Sequence, residues 1–293
     1  MCRGRLFHKQ GATLEKGTGI ERVSGGEEAQ RVRKINMLTL APLFFLFVWM
    51  LPADSIGVPF RVPPPASNQD IPLSMVEDSV DDGYRGCELK MMDSVLTHYL
   101  KKELRDRKFG EAWSKAAGCA KRGPKNKALT KDQIQAICVY TSDLFYREFN
   151  EAVRTQGPVY NTTFKFHSLH FLLTSAIKVL NSKRLCNTTY RRSDLKFIGR
   201  ENQVVRFGTF ASSSYRPDLN NLFGKETCFK IKTCFGADLR DYSVFKAEEE
   251  VLIPPYETFK VTKTNGKLRD CKVVYELVSI GAVSTLNCRA LNP

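Results

Sequence analysis

The sequence of 293 residues predicts an α+β fold, in which a helical half precedes a β half. Between residues 88 and 180, apolar side chains recur at the spacing of amphipathic helices. After residue 185, short β-branched and aromatic runs are separated by turn residues, which is the pattern of strands. Hydrophobic residues make up 42% of the chain, which is enough to bury a core.

The N-terminal region carries the pattern of a secretory signal peptide. Residues 38–53 (LTLAPLFFLFVWMLPA) are almost wholly apolar, and the basic stretch 31–34 (RVRK) stands before them. Ser55 and Gly57 follow at the spacing of a cleavage site. The apolar run is shorter than the roughly 20 residues that a membrane-spanning helix requires. We therefore predict a secreted protein, with an uncleaved, membrane-bound signal anchor as the alternative.

This signal divides the chain into three parts. Residues 1–53 form the N-terminal extension and signal peptide, in which Met37 is an alternative start. Residues 54–80 are rich in proline, aspartate and serine and predict a flexible lead-in, and residues 81–293 form the folded domain. The sequence does not end in a hydrophobic tail, so we expect no lipid anchor there and no membrane association after cleavage.

The mature chain is basic. With residues 1–53 removed, 37 basic and 27 acidic residues remain, a net charge of +10. Such a balance suits nucleic acid, an anionic membrane or an anionic small ligand. The sequence contains no paired Cys/His finger and no aromatic–basic β motif, so we expect no nucleic-acid partner.

Three helical regions are predicted in the first half. Apolar residues recur at helical spacing over 88–117. Thr130 and Gln133 have the spacing of a capping box, and the apolar face of this second helix continues to Phe145. Residues 166–180 give the clearest helical pattern.

The second half contains runs that combine high β propensity with turn residues at both ends. The predicted strands are TTYRRSDLKF, VVRFGTF, CFKIKTCF, VLIPP, ETFKVTKT and KVVYELVSI.

Cysteine usage agrees with an extracellular chain. Eight cysteines follow the signal peptide, and an even number in a secreted domain indicates disulfides. None belongs to a Cys-x-x-Cys pair, so we expect no metal site. Asn161 and Asn187 begin Asn-x-Thr sequons and are predicted glycosylation sites.

The acidic stretch 248–250, directly before the apolar run VLI, is a candidate for chemistry. If it enters a strand, Glu248 and Glu250 face one side and Glu249 faces the other. Two carboxylates on one face repel, which raises the pKa of one of them. The alternative is a solvated acidic corner.

Two further candidates have ordinary explanations when they are taken alone. Arg191 lies in the β-patterned run TTYRRS, where it would face solvent or hold a phosphate through its fork of donors. Ser212 lies in FGTFASSSY, which is a plain polar turn unless it borders a site.

Together, the Arg, the Ser-x-Ser turn and the Glu-x-Glu resemble the R-S-E arrangement of arginine-specific vertebrate ecto-mono-ADP-ribosyltransferases. The segments that carry the resemblance appear in family order and cover most of residues 81–288; they are DDGYRGC, AICVYTSDLFYREFNEAVR, LHFLLTSAIKVLN, FASSS, EEEVLIPPYETF and STLNC. One departure is Arg192, which stands where family members typically have Gly. The extra side chain would crowd the strand or add positive charge near the cleft.

The resemblance implies a fold and a set of roles. Residues 81–293 would form the catalytic domain, with NAD (or NADP) as substrate in a cleft between two sheets and no metal. Arg191 would hold a phosphate of NAD, and Ser212 would support the nicotinamide ribose and orient the catalytic carboxylate. Glu250 would bind the ribose 2′-hydroxyl and stabilise the oxocarbenium-like state, and Glu248 would bind the acceptor guanidinium.

The resemblance also implies two disulfides. Cys186 would pair with Cys234, and Cys87 with Cys288. Three pairings stay open for the remaining four cysteines, Cys119, Cys138, Cys228 and Cys271.

The activity that follows is transfer of ADP-ribose from NAD to arginine side chains of secreted or cell-surface proteins, with release of nicotinamide. An NAD glycohydrolase, in which water is the acceptor, is the first alternative. A catalytically silent binding module of the same fold is the second, and the intact set of Arg191, Ser212, Glu248 and Glu250 argues against it.

Overall fold

The helices precede the strands along the chain, as the sequence predicts. The structure is a computed structural model that describes residues 70–122, 128–142, 144–218 and 223–291. These residues belong to the unit Gly57–Pro293. The predicted extension, signal peptide and cleavage site lie outside the described residues.

Residues 70–80 differ from the predicted flexible lead-in. β1 (Ile71–Pro72) pairs in parallel with β3 (Phe197–Ile198). Leu73 is 8% exposed and Val80 is fully buried. The lead-in was predicted from proline and polar content, but the aliphatic residues near its end have apolar partners and therefore pack.

The described residues of the helical half contain six α-helices. They are α1 (Glu88–Ser94), α2 (Leu100–Glu103), α3 (Arg107–Arg122), α4 (Lys131–Thr141), α5 (Tyr146–Thr155) and α6 (His167–Leu180). A π-helical turn, Val95–Tyr99, joins the first two. None of the described helices is both long enough and apolar enough to cross a membrane.

The second predicted helix begins as expected and ends earlier. Thr130 and Gln133 form the capping box, because each side chain accepts a hydrogen bond from the backbone N–H of the other. Ser142 has extended dihedrals (φ −79°, ψ 148°), so α4 stops at Thr141. α5 is therefore a separate helix rather than a continuation.

In the described part of the β half, eight strands form one mixed sheet. They are β2 (Asn187–Ser193), β4 (Val204–Val205), β5 (Ala211–Ser214), β6 (Thr227–Thr233), β7 (Ala237–Asp238), β8 (Glu250–Ile253), β9 (Glu257–Lys263) and β10 (Val273–Ala282). Their order in the sheet is β4-β9-β10-β6-β2-β5-β8-β7. β6 and β10 run parallel, and the other neighbours are antiparallel.

The sheet opens between β2 and β5. β2 pairs with β6 along its whole length, whereas it meets β5 at one residue pair, Tyr190 with Ser214. In the described residues, the two predicted sheets are the two halves of one hydrogen-bonded sheet, joined at this single pair. Because the halves separate beyond Tyr190, a cleft forms at the next residue of β2.

Two apolar cores pack against the sheet. The larger one joins the helices to the β5–β8 region, where Phe149 stacks on Phe210 at 5.6 Å. The smaller one contains Phe229, Phe259 and Tyr275. Full burial of one such aromatic side chain contributes about 2–3 kcal/mol, so these cores fix the position of the strands around the cleft.

Four disulfides close the domain: Cys87–Cys288, Cys119–Cys138, Cys186–Cys234 and Cys228–Cys271. The first and third are the pairs that the resemblance implies, and the other two select one of the three open pairings. Cys186 and Cys234 directly flank the paired residues Asn187 and Thr233, so their bond fixes the end of the β2–β6 ladder.

A buried aspartate, Asp81, joins the beginning of the domain to its middle and to its end. The Arg206 guanidinium donates to Asp81 at 2.6 Å, and neither side chain is exposed. Asp81 also accepts from the backbone N–H groups of Thr285 and Leu286. Loss of one partner would leave a buried charge uncompensated, at a cost of about 3–5 kcal/mol.

Candidate active site

A pocket lies where β2 and β5 separate. Its walls come from β2, from β5 and the turn after it, and from the start of β8. The lining residues are Tyr190, Arg191, Arg192, Ser212, Ser213, Ser214, Arg216, Phe223, Glu248 and Glu250. All four residues singled out from the sequence therefore border one pocket.

Arg191 spans the opening between the two halves of the sheet. It follows the last residue of β2 that pairs with β5, and its Nη1 donates to the Ser212 carbonyl oxygen at 2.6 Å. A second guanidinium, that of Arg154 on α5, lies near it, since burial and the neighbouring Arg191 charge lower the pKa of Arg154. The positive potential on this side of the pocket suits an anionic ligand.

Glu250 begins β8 and is 3% exposed. Its Oε2 accepts a hydrogen bond from Ser243 Oγ at 3.2 Å. The Glu250 backbone carbonyl accepts from the Leu239 N–H at 2.8 Å. Ser243, which sequence reasoning missed, thus orients Glu250, and the role expected of Ser212 stays a prediction.

The three serines of the FASSS segment alternate between the two faces of β5. Ser212 and Ser214 share the strand face of Glu250, because Ser214 is the register partner of Glu250. Ser214 Oγ donates to the Glu248 carbonyl at 2.6 Å, and Ser213 Oγ donates to the Val251 carbonyl at 2.9 Å. Ser214 therefore anchors the turn that presents Glu248.

Glu248 reaches the pocket by a route that strand alternation does not predict. It ends a short 3₁₀ turn, Lys246–Glu248, and Glu249 adopts a left-handed conformation (φ 48°) before β8 begins. The expectation that both outer glutamates lie on one strand is wrong, since only Glu250 is in the strand. The left-handed residue reverses the chain locally, so both carboxylates still line the pocket and Glu249 does not.

Tyr140 lies beneath the site. Its hydroxyl donates to the Phe210 carbonyl at 2.8 Å and accepts from Asn150 Nδ2 at 3.2 Å. Burial raises the pKa of Tyr140, and the nearby Glu250 carboxylate raises it further. The phenol therefore stays neutral beside the carboxylate. A buried tyrosine on a regular helix carries no sequence signal that distinguishes it from an ordinary core residue.

Arg192 occupies the pocket edge without crowding β2. Its Nη2 donates to the carbonyl oxygens of Pro217 and Arg269, at 3.0 and 3.1 Å. The departure from Gly therefore links two loops and adds positive charge to the lining.

The arrangement places arginines and two carboxylates around one cleft. Such a site can bind a phosphorylated substrate and can stabilise positive charge that develops beside a carboxylate. The described residues contain no group of three or more side chains positioned to hold a metal ion.

The predicted sequons lie at half-buried asparagines, Asn161 and Asn187, and their glycosylation stays a prediction.

Comparison with solved structures assigns the fold to the ADP-ribosyltransferases. The crystal structure of the eukaryotic mono-ADP-ribosyltransferase ART2.2 is similar with a TM-score of 0.65 and 28% identity, over 74% of this chain and 98% of that one. Two mutants of ART2.2, crystallised with NADH and with NAD, are similar at TM-scores of 0.64 and 0.63.

Comparison at the level of sequence identifies the family to which the chain belongs. Residues 73–285 match the model of the NAD:arginine ADP-ribosyltransferase family, and the chain belongs to this family. The mouse GPI-linked NAD(P)(+)–arginine ADP-ribosyltransferase 1 is 36% identical, over 75% of this chain and 74% of that protein. The chicken erythroblast NAD(P)(+)–arginine ADP-ribosyltransferase is 34% identical, over 75% of this chain and 76% of that protein. The rat ecto-ADP-ribosyltransferase 5 is 36% identical, over 66% of this chain and 68% of that protein.

Proposed function

We propose that the chain transfers ADP-ribose from NAD to arginine side chains of extracellular proteins and releases nicotinamide. One observation carries the proposal: Arg191, Ser212, Glu248 and Glu250, which are distant in sequence, line one pocket at the opening of the sheet. Family membership supports it, and the names of two relatives, which read NAD(P)(+), make NADP a second candidate dinucleotide.

The anionic end of the substrate binds on the arginine side of the pocket. Arg191 is held by the Ser212 carbonyl at 2.6 Å, which leaves the rest of its donor fork for a phosphate of NAD. Ser212 lines the same pocket as this guanidinium and Glu250, and its role is to support the nicotinamide ribose.

Glu250 acts on the bond that breaks. The bond between C1′ of the ribose and the nicotinamide nitrogen cleaves with its electron pair leaving on nicotinamide, so the ribose becomes oxocarbenium-like. The buried carboxylate, oriented by Ser243, opposes this positive charge and binds the 2′-hydroxyl.

Glu248 acts on the acceptor. A guanidinium nitrogen forms the new bond to C1′, and the proton that it loses passes to Glu248 and then to solvent. Arginine is protonated at every working pH and is a poor nucleophile without a base of this kind. The 3₁₀ turn holds Glu248 on the same pocket as Glu250 but outside the strand, so each carboxylate has a different partner.

The disulfides indicate the compartment in which the protein acts. Four disulfides are typical of oxidising compartments, and the relatives include a GPI-linked and an ecto-enzyme. We infer an extracellular protein that is secreted after signal cleavage and acts on arginine-containing proteins there.

A single assay tests this function. The mature chain is incubated with NAD labelled in its ADP-ribose part and a small arginine mimic, and both nicotinamide and labelled adduct are quantified. Transfer predicts adduct in nearly the same molar amount as nicotinamide. Nicotinamide without adduct would show an NAD glycohydrolase, and neither product would show a silent binding module.

A further inference from the structure

A second cavity of about 500 Å³ shares no lining residue with the candidate active site. It lies between the start of α1, the end of α6, the turn between β6 and β7, and the segment 282–287. Its volume falls within the range of roughly 300–1,000 Å³ that small-molecule sites occupy.

The walls of this cavity are fixed in advance. Cys234, which lines the cavity, is bonded to Cys186, and the Cys87–Cys288 bond joins the chain neighbours of the lining residues Glu88 and Asn287. The Asn287 side chain accepts from the Arg85 N–H at 2.7 Å and donates to the Arg85 carbonyl at 3.0 Å. Asn181 Nδ2 donates to the carbonyls of Cys234 and Gly236. A ligand would therefore find the cavity already formed, which lowers the entropic cost of binding.

Two of the three cations in the lining have no acidic partner among the described residues. Lys178 is satisfied, because it pairs with Glu88 at 3.0 Å. The guanidinium groups of Arg85 and Arg184 make no ion pair and no side-chain hydrogen bond in the described part of the chain. Arg184 is held over the ring of Phe235, 5.9 Å from its centroid, so it is positioned without being neutralised.

The hydroxyl of a largely buried tyrosine completes the donor set. Tyr256 is 5% exposed, lines the cavity and packs edge-on against Phe235. Burial raises the pKa of Tyr256 and the Glu257 carboxylate adds to this, whereas Arg184 and Arg85 lower it. Both guanidinium groups therefore act on the same phenol from the cavity, and the phenol stays protonated as a donor.

We propose that this cavity is a second ligand site, and that it binds a phosphate group through Arg85, Arg184 and the Tyr256 hydroxyl. Guanidinium forks match the oxygens of phosphate, and two uncompensated positive charges favour a multiply charged anion. The proposal does not depend on transfer activity, since none of the three residues lines the pocket of Arg191.

The phosphate has two possible sources. One is a free phosphorylated compound. The other is a phosphorylated lipid headgroup. Two exposed leucines directly follow lining residues and could contact the lipid: Leu89 after Glu88 (88% exposed) and Leu185 after Arg184 (61% exposed).

Inorganic pyrophosphate is the probe, titrated calorimetrically at moderate salt. All proteins carry Arg191→Gln, which removes the phosphate-binding arginine of the other pocket. We expect this chain to bind pyrophosphate, and the added change Arg184→Gln to weaken binding about tenfold or more, the effect of losing a charge-assisted hydrogen bond. Arg85→Gln, which lies on a different segment, should do the same.

The matched controls are Lys183→Gln and Lys90→Gln, which remove the same charge from exposed neighbours outside the lining. Both should bind within about twofold of the Arg191→Gln parent, because Lys183 and Lys90 contribute only screened surface charge. Equal weakening by these controls, or absence of pyrophosphate binding in the Arg191→Gln parent, would overturn the proposal. Unfolding midpoints of all variants establish that the fold is intact.

Vesicles distinguish the two sources. Phosphatidylcholine vesicles with and without phosphorylated phosphatidylinositol are sedimented with the protein. Binding that requires Arg184 and is lost in Leu185→Ser identifies a lipid headgroup. Pyrophosphate binding without vesicle binding identifies a free phosphate compound.

Discussion

Glu248 and Glu250 approach one pocket from different local structures. Glu250 is buried in β8 and is oriented by Ser243, whereas Glu248 ends a 3₁₀ turn that Ser214 anchors. Between them, Glu249 takes a left-handed conformation and leaves the lining. Two carboxylates only one residue apart can therefore have separate tasks, one toward the ribose and one toward the acceptor.

Glu248→Gln should separate the two reactions. When water is the acceptor, no carboxylate is needed to bind a guanidinium. Nicotinamide release by hydrolysis of NAD should therefore persist at a measurable fraction of the wild-type rate. Arginine adduct should fall by at least about tenfold, which corresponds to roughly 1.4 kcal/mol. The measurement is the ratio of adduct to nicotinamide. If both products fall together, the carboxylates act as one unit and the division of roles is wrong.

At the scale of elements, the sequence was most informative where a periodic pattern and a local signal agree. The capping box at Thr130 marks the start of α4, and helical spacing marks α6. It was least informative where a turn decides the outcome. The alternating pattern in the sequence extends the strand back to Glu248. The left-handed conformation of Glu249 interrupts it, so β8 begins only at Glu250. Ser243 could not be found, because its contact to Glu250 depends on a loop path without periodicity.

A buried glutamate, Glu103, joins α2 to α6. Glu103 is 8% exposed, and its carboxylate accepts from the Ser168 N–H in the first turn of α6. Burial raises the pKa of Glu103 to about 8, despite the hydrogen bonds that favour the ionised form. The folded state therefore binds more protons than the unfolded state between about pH 4.5 and pH 8.

The free energy of unfolding of the wild type should therefore decrease across this window, because the stabilisation present at low pH is lost as the pH rises through about 8. Glu103→Gln removes the titrating group. Relative to the wild type, this variant should gain on the order of a few kcal/mol between pH 5 and pH 9. Urea unfolding at both values measures the difference, and the exposed Glu111→Gln is the control. An unchanged pH slope in Glu103→Gln would contradict the argument.

At the scale of the whole molecule, the folded unit depends on long-range connections. The Cys87–Cys288 disulfide and the hydrogen bonds from Thr285 and Leu286 to the buried Asp81 join the two ends of the domain, so the domain cannot be shortened much at either side. In a chain-entropy model, a disulfide that closes a loop of this length contributes about 2–5 kcal/mol. Formation of these bonds requires an oxidising compartment.

Secretion is the corresponding prediction. Expressed in animal cells, the chain should appear in the medium with its N-terminus near residues 54–58, because the apolar run 38–53 directs export and is then removed. N-terminal sequencing of the secreted protein measures this. Protein that remains on cells with residues 1–53 attached would establish the signal anchor instead.

The central claim is that Glu250 stabilises the charge that forms when NAD loses nicotinamide. The most direct measurement compares Glu250→Gln with Glu249→Gln, the adjacent glutamate outside the pocket, in the labelled-NAD assay. Glu250→Gln should reduce both nicotinamide release and arginine adduct by about 10²–10³ or more, as expected for loss of an electrostatic stabiliser. Glu249→Gln should leave both within a few-fold of the wild type. Activity of Glu250→Gln within a few-fold of the wild type would contradict the account.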